Sequence, residues 1–342
     1  MRRGSIVQLV LIGLVAGAIA TAVAIFIPWM PTPASREAGR IDFVYWFATV
    51  IALIVFSVVA AVLVYSVINF RAKPGDMSDG PPIHGHTTIE IIWTVIPTIL
   101  VVAIAIVSAI VLAKDSHAGA NPLVIKVVGQ QFAWQFTYPN GQTYTTLHLP
   151  IDRGVKLKIT SNDVLHSFWV PQFGQKQDAV PGQINNLVIT PDRLGIYPVI
   201  CTELCGLGHA LMRSEAIVMT PSAFASWYKG ATPGGEGGAA GGSGGGSAAA
   251  TATFNSNGCG ACHTFKPISG AVGKVGPDLD QLKEAAAKAG QPLAAFIKQS
   301  IADPNAYIAP GYQPGVMPPT FAKSIPAAQL DSLVQYLAQN TN

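Results

Sequence analysis

Four cysteines serve a chain of 342 residues, and they fall into two pairs with ligand-like spacing. In CTELCGLGHALM (201–212), Cys205 follows Cys201 by four residues, His209 lies four further on and Met212 three beyond that. Thiolate, imidazole and thioether are soft or borderline donors of the kind copper prefers. A Cys201–Cys205 disulfide is the plain alternative in an oxidising compartment, yet it leaves His209 and Met212 unexplained. His166, in DVLHSFWVP, follows a β-rich run that a sandwich can bring beside this loop. A mononuclear blue-copper site needs one Cys, two His and usually a weak Met. This set has a thiolate to spare. Two bridging thiolates would give each of two copper ions a sulfur pair and one imidazole, so the spacing favours a dinuclear centre.

The second pair lies in CGACH (259–263), the C-x-x-C-H pattern of covalent haem attachment. Cys259 and Cys262 would add to the haem vinyl groups and His263 would ligate the iron. A thioredoxin-like dithiol needs a βαβ context that is absent, and half a zinc site needs a second ligand pair that does not follow. The remaining C-terminal segment contains one methionine, Met317, and no other histidine, so Met317 is the candidate for the opposite iron ligand.

Around these motifs the chain is too apolar for an ordinary soluble protein: half hydrophobic, 11% charged and with mean hydropathy +0.39. The runs 43–70 and 91–113 carry no charge, and each exceeds the roughly 20 residues that cross a bilayer core. Pro97 is tolerable there, because neighbouring groups can satisfy the freed carbonyl. Residues 1–35 form a hydrophobic N-terminal segment, read as a signal peptide or, since 6–29 is longer than a signal h-region, as a third span. Arg2 and Arg3 hold the N-terminus inside and Arg71 and Lys73 lie on the cytoplasmic side, so everything after Lys114 is outside. The net charge of +3 and the lack of a long basic tract give no sign of nucleic acid.

The expected organisation is thus a multidomain membrane protein with a transmembrane helical hairpin over 40–117. Short β-rich runs with turn signals such as Pro139-Asn140-Gly141 predict an antiparallel sandwich or barrel over 118–228. A Gly/Ser/Ala-rich linker spans 229–252, with a reach on the order of 25 Å for about 20 flexible residues. A compact unit over 253–342 has helical patterns at 279–289, 293–302 and 327–339. It has few residues for an independent core, so a covalent cofactor would help fill it.

The C-terminal segment resembles a small all-α class I cytochrome c, through CGACH, GPDL (276–279) and GVMPP (315–319). That resemblance implies that the Pro277 carbonyl accepts a hydrogen bond from the His263 ring. C-x-E-x-C-G-x-x-H-x-x-M, with LHSFWVPQFGQKQDAVPG (165–182) and HTTIEIIWTVIP (86–97), resembles the cupredoxin-like CuA domain and membrane hairpin of cytochrome c oxidase subunit 2. The whole chain is similar to the bacterial caa-type subunit 2, with a fused cytochrome.

The resemblance implies that Cys201 and Cys205 bridge both coppers. His166 and Met212 would complete one copper, His209 and the Glu203 backbone carbonyl the other. The Glu203 side chain would face a magnesium ion shared with subunit 1, against the plain reading of a loop carboxylate. Glu90 matches the start of a proton-uptake path, although a carboxylate at a helix start is also favoured by the helix dipole. The family's G-x-Q-W-x-W stretch here reads GQQFAWQF (129–136), with Phe132 at the usual electron-entry tryptophan and Trp134 kept as relay candidate or core aromatic. Lys176 and Asp178 would shape the subunit 1 interface, and His84, His86, His117 and His148 are read as loop or surface histidines.

The function implied is electron transfer from haem c to CuA and on to the oxygen-reducing subunit 1, coupled there to proton pumping. Partners would be subunit 1, subunit 3, membrane lipid and an upstream cytochrome c or cytochrome bc complex. The site would be a bacterial plasma membrane, with both redox domains extracytoplasmic. The alternative is the CuA-bearing subunit of a nitric oxide reductase, which these cysteines and histidines do not separate from the oxidase. Nitrous oxide reductase fits poorly with membrane spans, a copper-delivery protein has little use for a covalent haem, and quinol oxidase subunits lack the copper cysteines.

Overall fold

The computed structural model describes residues 3–72, 74–75, 82, 85–230, 245–268, 271, 273–319, 321 and 325–342. His84, Lys73 and residues 231–244 of the expected linker lie outside the described residues. The chain divides into a helical unit (1–33 and 38–116) and a second unit (34–37 and 117–342).

The helical unit consists of α1 (Arg3–Phe26), α2 (Arg36–Phe70, its first turn apart) and α3 (Thr87–Asp115), each long and apolar enough to cross a membrane. Small residues let α1 and α2 approach closely: a Cβ on Gly13 would sit 3.4 Å from the Ala61 Cβ, and one on Gly17 would sit 2.8 Å from Ser57 Oγ. Arg40 and Asp115 pair between α2 and α3. Many of their apolar side chains are exposed, as lipid-facing or partner-facing helices require.

Ten strands build the β domain: β1 (Leu123–Gln130), β2 (Ala133–Thr137), β3 (Thr143–Tyr144), β4 (Leu147–Pro150), β5 (Val155–Ser161), β6 (His166–Trp169), β7 (Lys176–Ala179), β8 (Asn185–Ile189), β9 (Gly195–Cys201) and β10 (Arg213–Met219). They form two five-stranded sheets, β3-β2-β1-β5-β8 and β4-β10-β9-β6-β7. The expectation of an antiparallel sandwich needs correction, because β1 pairs with β5 and β4 with β10 in parallel. Both pairings join strands separated by intervening chain, which short-range alternation of residues does not reveal. Alternation still orients the strands: Ile125 and Val127 of β1 and Leu157 and Ile159 of β5 are fully buried. His148 also departs from the loop reading. It lies in β4, half-buried, with its ring stacked 4.2 Å from that of Trp227.

An edge-to-face aromatic column links the sheets at the end that carries the ligands. Trp134 meets Phe168 at 5.5 Å between centroids, and Phe168 meets Phe136 at 6.2 Å. Such pairs add stability beyond burial alone.

Two helices flank the glycine-rich stretch: α4 (Pro221–Gly230) and α5 (Gly245–Ser256). The expected linker of 229–252 is therefore helical at both ends, since the Ala248-Ala249-Ala250 run carries the strongest helix propensity in it. The C-terminal unit continues with α6 (Cys259–Cys262), α7 (Leu282–Ala289), α8 (Leu293–Ala302) and α9 (Ala327–Asn340). The helical pattern expected from 279 begins instead as a 3-10 turn over Leu279–Gln281, with the Asp278 side chain accepting from the Asp280 N–H. Phe254, Phe265, Phe296, Leu333 and Leu337 lie in one buried cluster.

Phe168 is fully buried at the centre of the aromatic column. Phe168→Ala should destabilise the β domain by about 3–5 kcal/mol, read as a lowered midpoint in denaturant unfolding followed by tryptophan fluorescence.

Candidate metal and cofactor sites

Two strands and one loop bring the first donor set together. β6 runs between β7 and β9, with Phe168 opposite Cys201. β9 and β10 are antiparallel, and the loop between them closes as Cys201 N–H donates to the Met212 carbonyl and Thr202 N–H to the Ser167 carbonyl. His166 at the start of β6, Cys201 at the end of β9 and Cys205, His209 and Met212 in the loop thereby converge.

The sulfurs of Cys201 and Cys205 lie 3.9 Å apart and both cysteines are free. That is nearly twice the length of a disulfide bond. The Nδ1 atom of His166 lies 4.0 Å from Cys201 Sγ, and that of His209 lies 3.6 Å from Cys205 Sγ. Met212 Sδ is 3.9 Å from Cys205 Sγ, and the Glu203 carbonyl oxygen is 3.3 Å from Cys201 Sγ. Ligand atoms of His166, Cys201 and Cys205 all fall within 4.8 Å of one another, and all three residues are buried. Two sulfurs with an imidazole nitrogen on each flank, a thioether and a carbonyl form a donor set able to bind two soft or borderline ions that share the sulfurs.

A second layer, missed in the sequence, fixes these donors. Asp163 Oδ1 lies 2.8 Å from His166 Nε2 and accepts from the Val164 N–H, while its Oδ2 accepts from the Gln131 N–H at 2.7 Å. With Nε2–H held by the carboxylate, the Nδ1 lone pair is left for a metal. Gln131 Nε2–H in turn donates to the Cys205 carbonyl at 2.6 Å. The only signal was local: an acid three residues before the ligand histidine, and a glutamine beside Phe132.

The electrostatics follow from these contacts. Burial raises Asp163, but hydrogen bonds from His166 and from the Gln131 and Val164 N–H groups outweigh it and hold the carboxyl below its ordinary range. Burial lowers His166, and the Asp163 and Cys201 contacts more than reverse it. In the metal-free pair the Cys205 thiol stabilises a Cys201 thiolate, which pulls Cys201 down and pushes Cys205 up.

Trp134 is fully buried, with its ring 6.1 Å from that of His166. Its indole N–H has no acceptor among the described residues. A Cβ on Gly129 would sit 3.0 Å from the His166 ring and 3.1 Å from the Trp134 ring, so glycine permits that approach. Phe132 covers Gly206 and Gly208 of the ligand loop, where a Cβ on either glycine would press into its ring. Glu203 is half-buried on the same loop, whereas Leu204 and Leu207 are 78% and 75% exposed. Glu90 belongs to the helical unit, where its Oε1 accepts from the His86 N–H at the start of α3. That is the capping geometry of a first-turn carboxylate.

The second donor set surrounds one cavity in the C-terminal unit. Cys259, Cys262, His263, Pro277 and Met317 all line it, together with apolar residues such as Phe296 and Ile301. His263 Nδ1 lies 2.7 Å from the Pro277 carbonyl oxygen, so Nδ1–H is held and Nε2 is the ring nitrogen left to coordinate. Gly276 is required beside it, because a Cβ there would sit 2.5 Å from His263 Cε1. Burial lowers His263 more than the Pro277 contact raises it, and burial pushes the Cys259 thiol up to about 12. An apolar cavity with two thiols, one oriented imidazole and a thioether fits a covalently attached macrocycle with an iron centre.

Asp163→Asn should loosen copper about 10–100-fold, read by competition against a calibrated chelator, with the β-domain circular dichroism unchanged.

The family model "Cytochrome C oxidase subunit II, transmembrane domain" matches residues 20–111, and "Cytochrome C oxidase subunit II, periplasmic domain" matches 142–220. Cytochrome c oxidase subunit 2 of Synechocystis is 36% identical over 252 residues, covering 60% of this chain and 76% of that protein. That of Alkalihalophilus pseudofirmus is 34% identical over 233 residues, covering 66% of this chain and 67% of that protein. Among solved structures, the periplasmic domain of subunit II of cytochrome oxidase of Bradyrhizobium japonicum is 30% identical. It covers 33% of this chain and 95% of that one, with TM-score 0.31.

Proposed function

The chain belongs to the cytochrome c oxidase subunit 2 family, and from that premise we propose that it is the electron-transfer subunit of a caa-type oxidase, receiving electrons in its own C-terminal unit. It is a subunit of a haem–copper oxidase, an oxidoreductase, with apolar membrane helices, a copper-binding periplasmic domain and association with subunit 1.

The observation that carries the proposal is the pair of unlinked sulfurs 3.9 Å apart, flanked by one imidazole nitrogen each. In this reading Cys201, Cys205, His166, Met212, His209 and the Glu203 carbonyl would hold two copper ions. Cys259 and Cys262 would anchor a haem c, and His263 and Met317 would hold its iron. When bound, these groups would supply one-electron transfer.

The residues contribute orientation and exclusion of water. Asp163 and Pro277 each hold the non-coordinating nitrogen of one histidine. Burial of Cys201, Cys205, His166 and Met212 keeps bulk solvent from the copper ligands. Trp134, packed beside His166, is the relay candidate on the inner side. The Glu203 side chain would meet a magnesium ion at the subunit 1 interface, and the nearly bare Leu204 and Leu207 beside it offer apolar surface for that contact. Glu90 would begin a proton path in the membrane helices, coupled to pumping in subunit 1. Subunit 3, membrane lipid and an upstream cytochrome c or bc complex complete the proposed setting, in a bacterial plasma membrane with both redox domains outside.

Full-length protein loaded with copper and haem should show a mixed-valence two-copper EPR signal and a low-spin c-type haem spectrum. Cys205→Ser should abolish the two-copper signal and leave the haem spectrum intact. A single-copper blue signal in the wild type would overturn the dinuclear reading.

A further inference from the structure

His263 and Pro277 belong to two short segments, 262–266 and 276–282, that the backbone ties together. Gly276 N–H donates to the Cys262 carbonyl at 2.8 Å and Leu279 N–H to the Thr264 carbonyl at 2.9 Å, on either side of the His263–Pro277 contact. Farther along, Asp280 Oδ1 accepts from the Lys266 N–H.

A third segment holds the outer edge of this pair. Thr341, just past the end of α9, is 4% exposed. Its hydroxyl oxygen lies 2.9 Å from both the Leu279 and the Asp280 carbonyl oxygens, so its proton has two acceptors, and it accepts from the Leu282 N–H at 3.1 Å. A hydroxyl carries one donor and two acceptor sites, and this one spends both kinds on a single turn. Asn342 N–H adds a bond to the Asp280 carbonyl, and Thr341 N–H returns to the Leu337 carbonyl of α9. Leu333 and Leu337 of that helix line the cavity with His263 and Met317. Apolar packing alone would be served by valine, which has the same shape, and a buried hydroxyl costs free energy unless it is hydrogen-bonded. The polar residue fixes the turn as well as filling the space.

We propose that Thr341 is a positioning residue for His263: its hydroxyl clamps the turn over 279–282 and thereby holds the Pro277 carbonyl, two residues before Leu279, against His263 Nδ1–H. The proposal rests on the functional reading above, in which His263 would hold a haem iron. A hydrogen bond from one ring nitrogen raises the basicity of the other, and hydrogen bonding around an axial ligand is one of the protein's levers on haem potential. A well-held bond makes the imidazole a stronger donor and favours ferric over ferrous iron. Freeing the turn weakens the bond, so the potential rises.

The test uses full-length, cofactor-loaded protein. Thr341→Val removes the hydroxyl at nearly constant shape and Thr341→Ser keeps it. Leu330→Ala hollows the buried face of the same helix at a residue outside the cavity lining. Thr341→Val should raise the haem c midpoint by the equivalent of about a threefold shift in the one-electron equilibrium, ~30 mV. It should also speed amide exchange over 276–283 by about tenfold, with the low-spin haem spectrum retained. Thr341→Ser should stay near wild type in both readouts, and Leu330→Ala should lower the thermal unfolding midpoint with the potential unchanged. An unchanged potential in Thr341→Val, or an equal shift in Leu330→Ala, would overturn the clamp. If Thr341→Val takes up no haem, Thr341→Ala decides by the same readouts. A wild type without a c-type haem spectrum would sink the functional reading instead, and exchange over 276–283 in the cofactor-free variants would then decide whether the clamp exists.

Discussion

Holding two cysteine sulfurs close in a buried pocket without letting them join is the constraint on which the β domain turns. At 3.9 Å they are within reach of a shared ion and outside bonding distance. The separation is set by backbone rather than by the cysteines: Cys201 ends a strand paired on both sides, and Cys205 sits in a loop whose ends are closed by Cys201 N–H on the Met212 carbonyl and Thr202 N–H on that of Ser167. Low-dielectric surroundings disfavour two thiolates side by side, so a buried pair of cysteine sulfurs suits positive charge shared between them.

Rigidity in the second layer serves the same end. Asp163 is bonded at once to a ligand histidine and to the backbone of the β1–β2 turn, and Gln131 ties the same turn to Cys205. A displacement of the turn is therefore felt at both histidine and cysteine ligands. The aromatic column of Trp134, Phe168 and Phe136 supports this network from beneath, across the two sheets.

The C-terminal unit applies the same device to a different group. A backbone carbonyl, that of Pro277, orients His263 as Asp163 orients His166, and a glycine clears space beside each ring: Gly276 in one case, Gly129 in the other. Its small core surrounds a cavity lined by Cys259 and Cys262, so the unit has an interior that its own side chains leave room in.

The membrane runs and the helices of the C-terminal unit were legible from local patterns. Charge-free length marks a bilayer-spanning helix, and covalent and metal chemistry demands fixed residue types at short spacing. Linker bounds were less legible, because glycine-rich composition masked the helix-forming alanines at its end. Sheet order was not legible: β3, β4, β6 and β7 are short, and parallel pairing joins strands far apart in the chain. Sequence alone thus determined which candidate donors the chain carries and their spacing along it. Only the tertiary structure decided that His166 reaches Cys201 from 35 residues away, that Asp163 and Gln131 brace the ligands, and that Phe132 lies between the copper loop and the second cavity. Those relations depend on strands that meet through long-range pairing, and no local spacing encodes such a meeting.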